Sequence, residues 1–262
     1  MSQNPAKLRG NSFSMAARGL PGIPLSLYLV IALALPPAQA QQQDDCDKAG
    51  CPNRKPENAE RAWDFLKEGN DQFVRNKRSG GGEDGAKDEC RRKCTSGKQQ
   101  PFAIVLSCSD SRVPVEMLFD QRIGDIFVVR VAGNVASDEA IGSIEYAIAH
   151  VKTAKILVVL GHQKCGAVEA AWELQPSHDM IPSILNRIFP AVHDSPNLES
   201  AILANIDQTV QMLPIYSPVI NGAVKKGLAI RGAYYSFDSG HVELRPVAGP
   251  LSRPHPDAQP LR

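Results

Sequence analysis

The chain is poor in aromatic residues, which make up 6% of its 262 positions with only two tryptophans, and it carries almost no excess charge. A formal charge of +1 leaves no electrostatic footprint for a polyanion, and no basic stripe is interleaved with aromatics. Nucleic-acid binding is excluded as a main role on that ground. Long apolar runs are missing as well. The segment Leu25 to Leu35 is almost unbroken but falls well short of the ~20 residues that span a bilayer. What remains is an ordinary globular composition, 43% hydrophobic and 22% charged, sufficient for one large α/β domain or two small ones.

The first forty residues differ from the rest. Lys7, Arg9 and Arg18 precede the apolar run, and Ala38-Gln39-Ala40 supplies small residues at a cleavage spacing. Residues 1–40 are therefore expected to be a signal peptide cleaved after Ala40, sending the protein to the periplasm or outside the cell. No cysteine stands at the cleavage point, so neither a lipid anchor nor a stable membrane anchor is expected after processing. Export bears on Cys46, Cys51, Cys90 and Cys94, which in an oxidising compartment are candidates for two disulfides with three possible connectivities. If Cys90 to Cys94 is helical, residues four apart lie ~5–6 Å apart at Cβ, beyond the ~3.5–4.5 Å of a disulfide. Cross-pairing between the Cys46/Cys51 pair and the Cys90/Cys94 pair is then favoured over pairing within each. A second metal site is the alternative reading of these four cysteines.

Residues 41–55 read as a polar N-terminal extension and 56–247 as the folded domain. The Pro-rich segment that starts at Pro246 lacks periodicity, and residues 248–262 are expected to be a loose tail. Ala59, Ala62, Trp63, Leu66 and Phe73 recur at helical spacing, which predicts a helical arm over about 57–76, followed by a surface loop at Gly80-Gly81-Gly82. Residues 102–106, 126–129 and 156–160 are continuous apolar runs without alternation, the pattern of parallel strands covered on both faces. Helical patterns fall at 140–151, 168–174 and 198–213, and a last strand at 228–236. The order predicts an α/β fold: a doubly wound, mostly parallel β-sheet flanked by helices, with the helical arm at its N-terminus.

Two short runs carry chemistry. Cys108-Ser109-Asp110-Ser111-Arg112 follows the first strand, and His162-Gln163-Lys164-Cys165 follows the third. Open α/β sheets bind ligands outside the carboxyl ends of their strands, so both runs face one edge. Gly161 is expected to let the chain turn there, Gly166 to bring the next helix close, and Cys165 to sit in that helix's first turn, where a thiolate is favoured. Two thiolates, an imidazole and a carboxylate suit Zn2+ better than calcium or magnesium. Asp110 is the variable member, either the fourth ligand or a carboxylate withdrawn by a bidentate pair with Arg112. His150, His178, His193, His241 and His255 lack ligand-spaced partners and are read as surface or structural residues.

The run Cys108 to Pro114 and the run Gly161 to Ala167 resemble the two signature segments of the β-class carbonic anhydrases. The resemblance extends through Val128 to Asn134, Gly142 to Ala147 and Gly232 to Tyr235, and covers roughly residues 57–247. It implies one zinc per subunit on Cys108, His162 and Cys165, with Asp110 coordinating or paired to Arg112. It further implies hydration of carbon dioxide to bicarbonate, with Asp110 and Arg112 as catalytic residues. A homodimer or dimer-based tetramer is implied too, with substrate pockets near the subunit interface. By position, Gln99 resembles a pocket glutamine that bonds substrate, and Phe127 and Tyr146 resemble pocket-wall aromatics. One departure stands out. Some members carry a bicarbonate inhibition site built on a tryptophan three residues before the first zinc cysteine, where this chain has Val105, although Arg130 and Tyr235 resemble two of its other members. The metal site is therefore expected to be mostly open near neutral pH. Two alternatives share the same ligands: a zinc hydrolase acting on carbon disulfide or carbonyl sulfide, and a non-catalytic secreted zinc-binding protein.

Overall fold

A computed structural model describes residues 46, 51, 54–78, 85–175 and 180–246. The leader, most of the polar extension, the Gly80 to Gly82 loop, His178 and the tail lie outside the described residues. No helix among the described residues is long and apolar enough to cross a membrane.

The helical arm is α1, Ala59–Val74. It starts two residues later than predicted because the Asn58 side chain caps it, accepting from the Arg61 amide at 2.8 Å. Its buried face holds Ala59, Ala62 and Leu66, and then Gly69, where an added Cβ would stand 1.7 Å from the Phe119 carbonyl oxygen. The arm thus lies directly on the segment after the first strand. Helix α2, Gly85–Thr95, contains the second cysteine pair, and the disulfides are Cys46–Cys94 and Cys51–Cys90. The bridges run between the two pairs, as favoured, and of the two connectivities this leaves open the structure has Cys46 with Cys94 and Cys51 with Cys90. Between the two bridges Arg91 is fully buried. Its guanidinium donates to the carbonyls of Ile123 and Cys51 and pairs with Asp125 at 2.7 Å. Asp125 in turn accepts from the Arg122 amide, and its carbonyl accepts from the Phe102 amide. Burial pulls the Arg91 pKa down while Asp125 opposes it. The disulfide knot is thereby tied to the entrances of the first two strands.

The sheet has five strands, β1 Ala103–Ser107, β2 Ile126–Arg130, β3 Ile156–His162, β4 Ala229–Tyr235 and β5 Val242–Leu244. They lie in the order β2-β1-β3-β4-β5, with every neighbouring pair parallel except β4 and β5. The chain winds outward from β1 in both directions, which makes the β1/β3 junction the switch point of a doubly wound sheet. Residues alternate between two cores. Ile104, Leu106, Leu157 and Val159 face one, and Ala103, Val105, Ile156, Val158 and Leu160 the other. The first core is closed by α4 Asp138–Tyr146, α5 Gly166–Trp172, α6 Pro182–Val192 and α7 Leu198–Tyr216, the second by α1 and the single-turn α3 Val115–Leu118. A π turn at Ala147–Val151 extends α4, and a short α8, Pro218–Val224, precedes β4.

Both bridges close loops of 48 and 39 residues, so their removal should be costly. Peptide mapping without reductant is expected to recover Cys46 joined to Cys94 and Cys51 joined to Cys90. A Cys51→Ser/Cys90→Ser variant is expected to lose about 3 kcal/mol in denaturant unfolding on the chain-entropy scale, because the intact outer bridge already shortens the loop that the inner one closes; an unchanged midpoint would contradict this.

Candidate metal centre

The parallel register sets Ser107 of β1 opposite Leu160 of β3. Cys108 then leaves β1 beside Gly161 and His162, the last residues of β3. The Gln163 amide bonds the Tyr235 carbonyl, and Lys164 takes a left-handed conformation with φ 53°. That reversal returns the chain to Cys165, which stands at the N-cap of α5 rather than inside its first turn.

Cys108, His162 and Cys165 are all buried, and their ligand atoms lie within 4.8 Å of one another. The two sulfurs are 4.0 Å apart. His162 Nδ1 sits 2.9 Å from the Gln163 carbonyl oxygen, which only accepts, so Nδ1 carries the proton and Nε2 the lone pair. Nε2 is buried without a hydrogen-bond partner. The Gly133 amide donates to Cys108 Sγ at 3.2 Å, and Asn205 fixes that peptide by donating to the Gly133 carbonyl at 2.8 Å. Contact with Cys165 lowers the Cys108 thiol, while the same contact raises the Cys165 thiol, with burial next. The pair gives up one proton readily and resists losing the second, because two adjacent buried thiolates repel. An orphan imidazole nitrogen and two thiols that need a cation to ionise together fit zinc, with three protein ligands and one position left over.

Asp110 is turned toward Arg112. Arg112 Nε and Nη2 donate to Oδ1 and Oδ2 at 2.9 and 2.7 Å, and the Arg112 amide donates to Oδ1 at 2.9 Å. The guanidinium and this amide hold the carboxyl well below the usual carboxylate range. Oδ2 nevertheless lies 3.9 Å from His162 Nε2, next to the metal position. From β2, Arg130 donates to the carbonyls of Cys108 and Asp110 at 3.2 and 2.7 Å, bracing the loop from outside. Val105 is fully buried within β1.

Other expected site residues are not brought to the triad within this chain. Gln99 is exposed before β1, at the opposite end of that strand from Cys108. Phe127 pairs with Ile104 inside the sheet and packs on the first core. Tyr146 ends α4, half exposed, stacked on His150. Two glycines act differently from expectation. Gly161 does not turn the chain; it lies in β3, where an added Cβ would stand 2.5 Å from Ile206 of α7. Gly166 faces open space, so no close approach of its helix depends on it. The Gly133 amide, Asn205 and Phe237 were not found from sequence, since each reaches the site through contacts remote along the chain.

Fold and ligand set together define a zinc enzyme of the open α/β type. The family model for carbonic anhydrase matches residues 103–242. Carbonic anhydrase 2 of Mycobacterium tuberculosis is 36% identical over 200 residues, covering 72% of this chain and 93% of that relative. Among solved structures, the Coccomyxa β-carbonic anhydrase in complex with acetazolamide aligns with 62% of this chain and 79% of its own, at 26% identity and TM-score 0.55. A tetrameric β-carbonic anhydrase of Sordaria macrospora aligns with 57% of this chain and 82% of its own, at 25% identity and TM-score 0.51. The chain belongs to the carbonic anhydrase family, and its site and fold are those of the β class.

Metal content provides the direct check on the ligand set. Cys108→Ala, His162→Ala and Cys165→Ala are each expected to fall to roughly a tenth or less of the wild-type zinc after dialysis, leaving too few ligands for a tetrahedral site. Full zinc retention in any of the three would remove that residue from the set.

Proposed function

We propose that the chain hydrates carbon dioxide reversibly to bicarbonate at a zinc site that is open at rest, and that it works outside the cytoplasm as a dimer or dimer-based tetramer. The observation that carries the open-site reading is the bidentate hold of Arg112 on Asp110, which leaves three ligands and a free position. Bound zinc supplies Lewis acidity, making water a nucleophile near neutral pH. The chain's own residues place the reactants. With both carboxylate oxygens accepting from Arg112, Asp110 still has lone pairs on Oδ2 that face the site and can take a water hydrogen, turning the oxygen lone pair toward substrate. Arg112 keeps Asp110 ionised and off the metal, and Arg130 keeps the loop from drifting.

Export is supported by the leader pattern and by the two disulfides, which persist in an oxidising compartment. Oligomerisation is supported by the exposure of Gln99 and Tyr146, which leaves both side chains available to a second copy. We place them, with Phe127, at a pocket that a second copy completes.

Stopped-flow hydration of carbon dioxide by the mature protein tests the activity, with carbon disulfide and carbonyl sulfide as competing substrates. Asp110→Asn is expected to keep most of its zinc and lose at least about a hundredfold in kcat, the usual scale for a positioned acid–base group. Zinc loss equal to that of Cys108→Ala would make Asp110 chiefly a ligand. The mature mass is expected to correspond to a chain beginning at Gln41.

A further inference from the structure

Beside the Asp110–Arg112 pair stands an aromatic ring, that of Phe237. Phe237 follows β4 in the tight turn to β5, and the Arg112 guanidinium carbon lies 4.3 Å from the centre of its ring. The same ring meets the His162 imidazole at 5.3 Å, tilted by 35°, and the edge of Tyr235 at 5.3 Å. The turn is pinned to the metal loop. Gln163 Oε1 accepts from the amides of Phe237 and Asp238, and its Nε2 donates to Asp238 Oδ2. Because Gln163 is bonded to His162, the ring is held in register with a metal ligand.

We propose that Phe237 is a positioning residue, whose ring holds Arg112 where it draws Asp110 away from the metal and so sets how fully the fourth position is open. This rests on the open-site reading above. Arg112 is a long side chain, 52% exposed, and among the described residues its further hydrogen bond, besides those to Asp110, is a 3.3 Å bond to the Lys164 carbonyl. A guanidinium tied to Asp110 alone would travel with the carboxylate if it swung to the metal, and would give little resistance. Seated on Phe237, it stays with the hairpin, and Asp110 must break two charge-assisted bonds to leave. The attraction depends on the ring quadrupole. A leucine would occupy much of the space without reproducing it.

Azide binding to the cobalt-substituted enzyme, read from its visible absorption, reports on the open position without recourse to turnover. Phe237→Leu is expected to bind azide about three- to fivefold more weakly than wild type, the scale of a partly exposed cation–π contact, whereas Phe237→Tyr stays within about twofold. In an Asp110→Ala background, where no carboxylate competes, Phe237→Leu is expected to change azide binding by less than about twofold. Thermal melts verify that each variant is folded. Wild-type-like binding by Phe237→Leu, or an equal loss with and without Asp110, would overturn the inference while leaving the open site intact. Failure of the wild-type cobalt enzyme to bind azide would overturn the open site, and the inference with it.

Discussion

The parallel register of β1 and β3 is the constraint on which the rest depends. Once Ser107 lies opposite Leu160, the next residue of one strand and the last two of the other must emerge together at the sheet's carboxyl edge. A slip of β3 by one residue would turn His162 to the other face of the sheet, away from Cys108. The register is protected by complete burial of both strands, whose alternate residues enter two separate cores. Stability and metal binding are thus consequences of the same pairing.

A second electrostatic problem is solved at the opposite end of the sheet. Arg91 is a buried cation offset by Asp125 and by backbone carbonyls, and it sits between two disulfides. Breaking such a pair costs more than it gains in the making. The bridges hold α2 down so that the guanidinium stays with its partners, which ties covalent chemistry in the N-terminal extension to the loop that feeds β2. The metal edge and the disulfide edge use opposite means, one holding thiols reduced for a cation, the other oxidised around one.

Much of this was legible in the sequence because its signals are local. Unbroken apolar runs announced β1, β2 and β3, and the spacing of His162 and Cys165 announced two ligands on one turn. Cross-pairing of the cysteines follows from helix geometry if Cys90 to Cys94 is helical, but the choice between its two connectivities does not. Other features left no local trace. Helix α6 begins at Pro182 and contains Pro190, which obscured the spacing of Leu185, Ile188 and Val192. Strand β5 has three residues, too few to show a period. Phe237 reaches Arg112 across 125 positions, and nothing in the residues around either foretells the meeting. Gly161 misled for a physical reason: glycine serves close approach as well as turning, and only the packed helix tells which.

That packed helix has a consequence of its own. Asn205 and Ile206 are consecutive on α7; one secures the peptide that donates to Cys108, and the other fills the spaces left by Gly161 and Gly232. The helix works as a key cut on adjacent teeth, with its rotation fixed by two glycine slots and its polar tooth fixed by that rotation. An insertion of one residue upstream in α7 would turn both away by about 100° at 3.6 residues per turn. Length variation among relatives should therefore collect before α7 or after it, and spare the interval from Leu198 to Ile206.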